Sequence, residues 1–512
     1  MQENRTDYVI RNLIYSLINS AIGTVMPFFV RTFTIYYLGS EYMGLNNLCT
    51  SILYVLNAAD LGVANAFAFR LYKPMAQKDT DEVCRLLNFY KKVYTTIGLA
   101  ILGMGLCLMP FLQHLIKGDL PKGINIYVVF FIYLVNSAIS YMLHTYNNLL
   151  FLADQRRDYE SNLYTINFIM LYGSQIAMIV TRHYYLSVIM FPVCTFFSSI
   201  IRNIFVKKRY PQYVPRGRIS DEIRRSLWKD ILSVTVYKLR DISRNSFDNI
   251  VISSFLGLVV LSNYQNYYMV VTLPNLLLSI FYNSIQPSMG NCIAMESVEG
   301  TYSVYKKNVF ILEFLGGWFA ICYGLLIQDF IVIWLGADYL MSDTLAILLA
   351  LFIYLQAENL LAGLMREGAG LWKYGRICAV AEMAVNLVLN IVLLLWLGVE
   401  GIVLATILSM LFISIPAENY IIHVHFFDSK LIDRLKYALR SVLWTVTTAL
   451  ITGLICSFAP KIYGVRFVFK VFACAFIPPI SLAVCFGHTE EFKFVKSLLL
   501  QILFRKVNRN KN

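Results

Sequence analysis

Charge is what this sequence has least of. Only 15% of its 512 residues are charged and 58% are hydrophobic, whereas a soluble globular chain carries roughly 25% charged residues. Mean hydropathy is +0.60. No water-soluble fold can hide that much apolar surface, but a bilayer can. Long polar stretches are missing too. The longest loop, residues 207–230, is about two dozen residues, which leaves no room for an extramembrane catalytic domain. The ten cysteines stand singly with no CxxC pair, which excludes a metal finger and reads as apolar thiols in a membrane. HExxH, nucleotide-binding glycine loops and triad spacing are absent, and Gly368-Ala369-Gly370 is a lone glycine pair suited to a turn. Neither an enzyme nor a bound metal or cofactor is expected.

What is present is a series of apolar segments of the length a helix needs to cross about 30 Å of hydrocarbon. About fourteen can be drawn: 8–37, 43–69, 93–114, 124–150, 163–180, 184–206, 231–258, 259–289, 309–335, 344–365, 377–397, 401–422, 435–458 and 467–486. The first is interrupted by Arg11 and Arg31 and has no small-residue cleavage site, so it reads as a retained span rather than a signal peptide. The predicted class is all-α and polytopic. The net charge of +13 could suggest nucleic acid, but the basic residues fall in alternate loops. One set holds Lys73, Lys91 and Lys92, then Lys207–Arg209, then Lys306 and Lys307, then Arg366, Lys430 and Arg434; the other holds only Lys117, Lys122, Arg182, Lys461 and Arg466. This is the positive-inside bias, and it predicts both termini in the cytoplasm and no nucleic-acid partner.

The chain also reads as two halves. Leu38-Gly39 after the first span matches Leu256-Gly257 after the seventh; Tyr90-Lys91-Lys92 before the third matches Tyr305-Lys306-Lys307 before the ninth; Asn148-Leu149-Leu150 matches Asn359-Leu360-Leu361. The offsets are all roughly 211 to 218 residues, a parallel repeat of six helices. The predicted organisation is an N-lobe over 1–206, an inter-lobe loop over 207–230, a C-lobe over 231–424, a helix pair over 425–487 and a basic tail over 488–512. In that tail Phe492, Val495 and Leu499 alternate with Lys493, Lys496 and Arg505, as in a helix lying on a membrane surface.

Ionisable groups inside a span cost at least ~2.5 kcal/mol and are functional candidates by default. The seventh span carries Lys238, Arg240, Asp241, Arg244 and Asp248, most of them on one helical face. They either neutralise one another or line a cavity that binds an anion. Quieter polar stripes include Asn46, Asn57, Asn136 and Asn147 in the first half, and Asn275, Ser279, Asn283 and Gln286 in the eighth span. Glu382, Asn386 and Asn390 repeat at i, i+4, i+8 in the eleventh. Such residues serve as interhelical glue, or together line a polar cavity.

The run Asp60-Leu61-Gly62 to Leu71-Tyr72-Lys73-Pro74-Met75-Ala76, with Leu87-Asn88-Phe89-Tyr90-Lys91-Lys92, resembles the polysaccharide transporter family. So do Ala153-Asp154-Gln155-Arg156, Phe247-Asp248-Asn249-Ile250, Ser262-Asn263-Tyr264 and Trp334-Leu335-Gly336. The resemblance runs from about residue 8 to 420 and fades in the last two spans. It implies two six-helix lobes plus a helix pair, in the superfamily of multidrug exporters and lipid-II flippases. It further implies a flippase of the bacterial cytoplasmic membrane, acting by alternating access in capsule, O-antigen or exopolysaccharide synthesis. The substrate implied is an undecaprenyl-pyrophosphate-linked oligosaccharide, with membrane lipids and a polysaccharide polymerase as further partners. Arg240, Arg244, Lys238, Asp241, Asp248, Arg31, Asn275 and Asn283 are then the cavity candidates. The alternative is an exporter of drugs or metabolites driven by Na+ or H+, for which Asp60, Glu358 and Glu382 could hold the ion.

Overall fold

The computed structural model describes residues 5–57, 63–118, 120–143, 146–154, 157–227, 239, 240, 242, 246–371, 374–427, 431–497 and 500. Helices dominate and no strand occurs among the described residues. The first part of the chain forms α1 (Arg5–Tyr37), α2 (Ser40–Leu56), α3 (Val63–Ala76), α4 (Thr80–Leu108), α5 (Ile126–Met142), α6 (Tyr146–Ala153), α7 (Arg157–Val180), α8 (Tyr184–Arg209) and α9 (Asp248–Leu256). Then follow α10 (Leu258–Met295), α11 (Val298–Trp334), α12 (Asp343–Gly368), α13 (Arg376–Leu397), α14 (Val399–Ser409), α15 (Ile415–His425), α16 (Leu431–Ser457) and α17 (Tyr463–Phe486). A π-helical turn, Met410–Ser414, joins α14 to α15.

Ten helices among the described residues are long and apolar enough to cross a membrane. The other four expected spans also meet helices among the described residues. α2 covers Ser40–Leu56 of the second span and α3 begins at Val63, with residues 58–62 outside the described residues. α5 ends where Leu143 turns extended (φ −92°, ψ 104°), and α6 takes up the rest of the fourth. α1 carries Arg11 and Arg31 along its 33 residues. Of the seventh span, α9 is the long described piece. The protein is an all-α, multi-pass membrane protein.

By contacts the chain divides into two compact units, Met1–Ser262 and Asn263–Asn512. In the first, α1 packs along α7, α4 along α5, and both α5 and α7 along α8, while α9 lies on α2. Its loops separate into two groups, as the charge pattern requires. At one end Asn88 Nδ2 donates to Gly217 O (2.7 Å), Arg216 pairs with Asp81 (3.1 Å) and Tyr210 donates to Asp154, so the basic loops gather together. At the other, Tyr42 Oη meets Lys122 O (3.5 Å), Asn125 N donates to Tyr185 Oη (2.7 Å) and Lys117 N to Ser253 O (2.9 Å).

In the second unit α11 is central, flanked by α12, α16 and α17, while α13 pairs with α14 and α14 also packs on α12. Ser297 starts α11 and Ser342 starts α12, each accepting from the backbone N–H three residues on. The glycine pair Gly316-Gly317 then brings three helices close. A Cβ on Gly316 would fall 2.6 Å from Ala357 of α12, and one on Gly317 would fall 2.5 Å from Thr445 of α16. Small residues let backbones approach where lipid offers no hydrophobic drive to pack. One turn before that pair lies Glu313, and beside Ala357 lies Glu358.

Candidate functional site

The buried polar residues fall into separate groups, and each of them needs a partner because hydrocarbon offers none. In the first unit many of the expected stripes are spent between helices. Tyr184 Oη donates to Asn46 (2.7 Å), Ser137 Oγ to Asn57 (2.8 Å) and Thr195 Oγ1 to Asn136 (2.7 Å). These amides are glue. Arg31 differs. It is 4% exposed in α1, and its Nε and Nη2 are buried without a hydrogen-bond partner. It lies six residues, roughly 9 Å of helix, before the end of α1 at Tyr37.

Of the expected cavity face of the seventh span, Lys238, Asp241 and Arg244 lie outside the described residues, as does Asp60. Arg240 and Asp248 are described, 3% and 4% exposed, and both are engaged in polar interactions. Next to Asp248, Asn249 Nδ2 donates to Ser51 of α2 at 2.8 Å.

Near the basic loops, a crevice of about 770 Å³ opens between the ends of α3, α6 and α8. Tyr72, Lys78, Asp154, Tyr210, Gln212 and Tyr213 line it. That size suits a small organic ligand. Burial, and then the hydrogen bond to Asp154, hold the Tyr210 phenol well above its ordinary range, so it stays a neutral donor. The sequence did not single out this crevice.

In the second unit the expected Asn275 and Asn283 share one stripe of α10. Asn275 is half-buried with its Oδ1 unpartnered, and Asn283 is exposed. Exposed amides in mid-span do not face lipid comfortably, so this stripe suits a watered surface. Glu382 is 1% exposed among Asn386 and Asn390; Asn386 Nδ2 donates to Thr406 (3.0 Å) and Asn390 Nδ2 to Asn386 Oδ1 (3.4 Å). Glu358, the other expected ion ligand, is bound to Arg434, which also holds Glu313. Arg366 pairs with Glu418, and Asp329 with Arg466 and Lys470. The sequence reading had counted Arg366, Arg434 and Arg466 as loop charges; the structure buries the first two and sets the third on a buried aspartate.

No protein-family model matches the chain, and no curated protein matches it significantly. Solved structures do match. An inward-facing multidrug resistance MATE family transporter of the MOP superfamily superposes with a TM-score of 0.61 at 13% identity, over 84% of this chain and 98% of that one. The lipid II flippase MurJ, in an inward closed conformation, superposes with a TM-score of 0.66 at 12% identity, over 93% of this chain and 99% of that one. The fold is therefore one that known membrane transporters adopt. More narrowly, it is the fold shared by this MATE transporter and the MurJ flippase.

Proposed function

We propose that this protein is a flippase that moves undecaprenyl-pyrophosphate-linked oligosaccharides from the inner to the outer leaflet of a bacterial cytoplasmic membrane. The product would serve capsule, O-antigen or exopolysaccharide synthesis, with a polymerase acting downstream. The observation that carries the reading is Arg31: a buried guanidinium in a span, whose Nε and Nη2 meet no hydrogen-bond partner among the described residues. A buried charge without a partner costs several kcal/mol, and a planar guanidinium is suited to bidentate capture of phosphate. Arg240 and Arg244 of the seventh span, with Lys238, Asp241 and Asp248, are further candidates for the headgroup path, and Asn275 and Asn283 for the sugars. The lobe organisation expected from the sequence, with a loop over 207–230 and a C-terminal pair over 425–487, fits this reading. The match to MurJ leaves too little of this chain uncovered to omit both α16 and α17, and the match to the MATE transporter is shorter.

The test compares Arg31→Ala, Arg31→Lys and Arg31→Met at equal expression, reading the export of lipid-linked oligosaccharide. A charged hydrogen bond is worth about 1.5–3 kcal/mol. Arg31→Ala and Arg31→Met should therefore export about tenfold less or worse, and Arg31→Lys should recover part. Arg31→Met removes an unpaired buried charge, so its melting temperature should hold or rise. Wild-type export by Arg31→Met would sink the reading.

A second reading is an exporter coupled to Na+ or H+, for which the buried Glu382 with its two amides offers oxygen ligands. Efflux of a cationic dye from vesicles under an imposed Na+ or proton gradient distinguishes it. Dye efflux lost in Glu382→Gln would favour it over the flippase.

A further inference from the structure

The charges around Arg434 do not balance. Glu313 of α11, Glu358 of α12 and Arg434 of α16 are 2%, 7% and 4% exposed. Arg434 Nη1 donates to Glu313 Oε1 at 2.7 Å, and Nη2 donates to Glu358 Oε2. One guanidinium against two carboxylates leaves a negative charge over, in a place where an uncompensated ion costs several kcal/mol. The remaining oxygens, Glu313 Oε2 and Glu358 Oε1, are buried without a hydrogen-bond partner. Both carboxyl groups are held by the one guanidinium of Arg434. What is missing between them is one donor.

A separate group points the same way. Tyr305, 1% exposed, lies beside Arg434 with its hydroxyl buried. A cavity of about 140 Å³ opens against Tyr305 and Arg434 from the side where α11 and α16 begin. A second space of about 20 Å³ touches Glu313, which is room for about one water.

Among the described residues, the surrounding groups do not supply the missing charge. On α11 Lys306 and Tyr302 line the larger cavity, and on α16 Asp433 and Tyr437 do so. Arg440 of α16 borders the smaller one. Glu491 of the tail acts on Tyr437 and His423 of α15 is near Arg434. Tyr354 of α12 spends its hydroxyl on Ser441 at 3.1 Å. Asp433 and Glu491 offset Lys306 and Arg440, so the excess stays on the two glutamates.

The geometry points to a proton-binding site in which Glu313 and Glu358 hold one exchangeable proton between them against Arg434. Water in the cavity beside Tyr305 delivers and removes it. With the proton bound, the three side chains are neutral together and fasten α16 to α11 and α12. With it gone, the spare negative charge repels and draws in water, and the grip on α16, and on α17 packed against it, weakens. The site is independent of the flippase reading.

The test uses the purified full chain in detergent and needs no transported substrate. Infrared spectra at neutral pH should show a carboxylic acid C=O band that shifts in D2O. Glu313→Gln and Glu358→Gln should each abolish it, because the glutamate that remains forms an ordinary ion pair with Arg434. Both variants keep the cluster neutral, so both should fold, and either alone decides the matter. The folded wild type carries a proton that the unfolded chain does not, so its melting temperature should fall as pH rises. That dependence should flatten in the two variants. Persistence of the band in a folded variant overturns the proposal. So does loss of the wild-type band when K+ is replaced by Na+, which would make this a sodium site.

Discussion

Arg366 and Glu418 show what a single buried pair does here. Their side chains are 8% and 5% exposed, and they join α12 to α15 across 52 residues of sequence. Removing one member of such a pair strands the other charge, at a cost of about 3–5 kcal/mol, while replacing both by apolar groups is near neutral. Arg366→Ala should therefore lower the melting temperature in detergent sharply, and Arg366→Met with Glu418→Leu should restore most of it. Equal melting of Arg366→Ala and wild type would show that the pair contributes nothing. This pairing explains where sequence reading stopped. Arg366, Arg434 and Arg466 stand near the ends of apolar segments, where a base reads as a solvated loop charge. Their acids lie 52 to 137 residues away on other helices. Glu313 and Asp329, the two carboxylates of an otherwise apolar span, offered a signal, as did Glu358. Arg31 was legible because it interrupts its segment from within.

At the scale of helices, the segments paired by the expected repeat share local structure. Gly39 and Gly257 both take positive φ (118° and 94°) with extended ψ (164° and 174°), a conformation that side-chain-bearing residues avoid. Asp79 and Ser297 each cap the helix that follows, and the matched Tyr90 and Tyr305 are both buried, 2% and 1% exposed. Turns, caps and buried aromatics leave local marks in sequence; helix contacts do not. The tail illustrates the difference. Its apolar positions suggested a helix on the membrane surface, yet in the helix over 490–497 Phe492 and Val495 pack against Phe310, Trp444, Leu482 and Phe486. Lys307 also reaches over the ring of Phe494, 5.1 Å from its centroid. Two partly buried apolar side chains contribute about 1–3 kcal/mol. Truncation after His488 should thus lower the melting temperature by several degrees, and truncation after Ser497 should not. If both truncations melt like the full chain, the docking is incidental and surface anchoring is the tail's role.

For the whole molecule the sign of the loops sets the expected orientation in the membrane, and through it the direction of the proposed transfer. Basic loops gather at one end of the first unit, where Arg216 and Gly217 lie against the start of α4 and Tyr210 against Asp154. The turns at the other end carry few bases, Lys117, Lys122 and Arg182 among them. Lysine and arginine are retained on the cytoplasmic side during insertion, so a flippase built this way loads from the end that bears residues 207–227. Arg218, Lys122 and Lys461 are all exposed, which makes each a fair reporter. Single cysteines there, in a background without the exposed Cys107 and Cys485, should separate cleanly under a membrane-impermeant maleimide. Lys122→Cys and Lys461→Cys should react in intact cells, and Arg218→Cys only after the membrane is opened. Because Lys461 lies between α16 and α17, its labelling also reports whether the C-terminal pair crosses as two full spans. Labelling of Arg218→Cys from outside would invert the orientation and, with it, the proposed inner-to-outer direction of transfer.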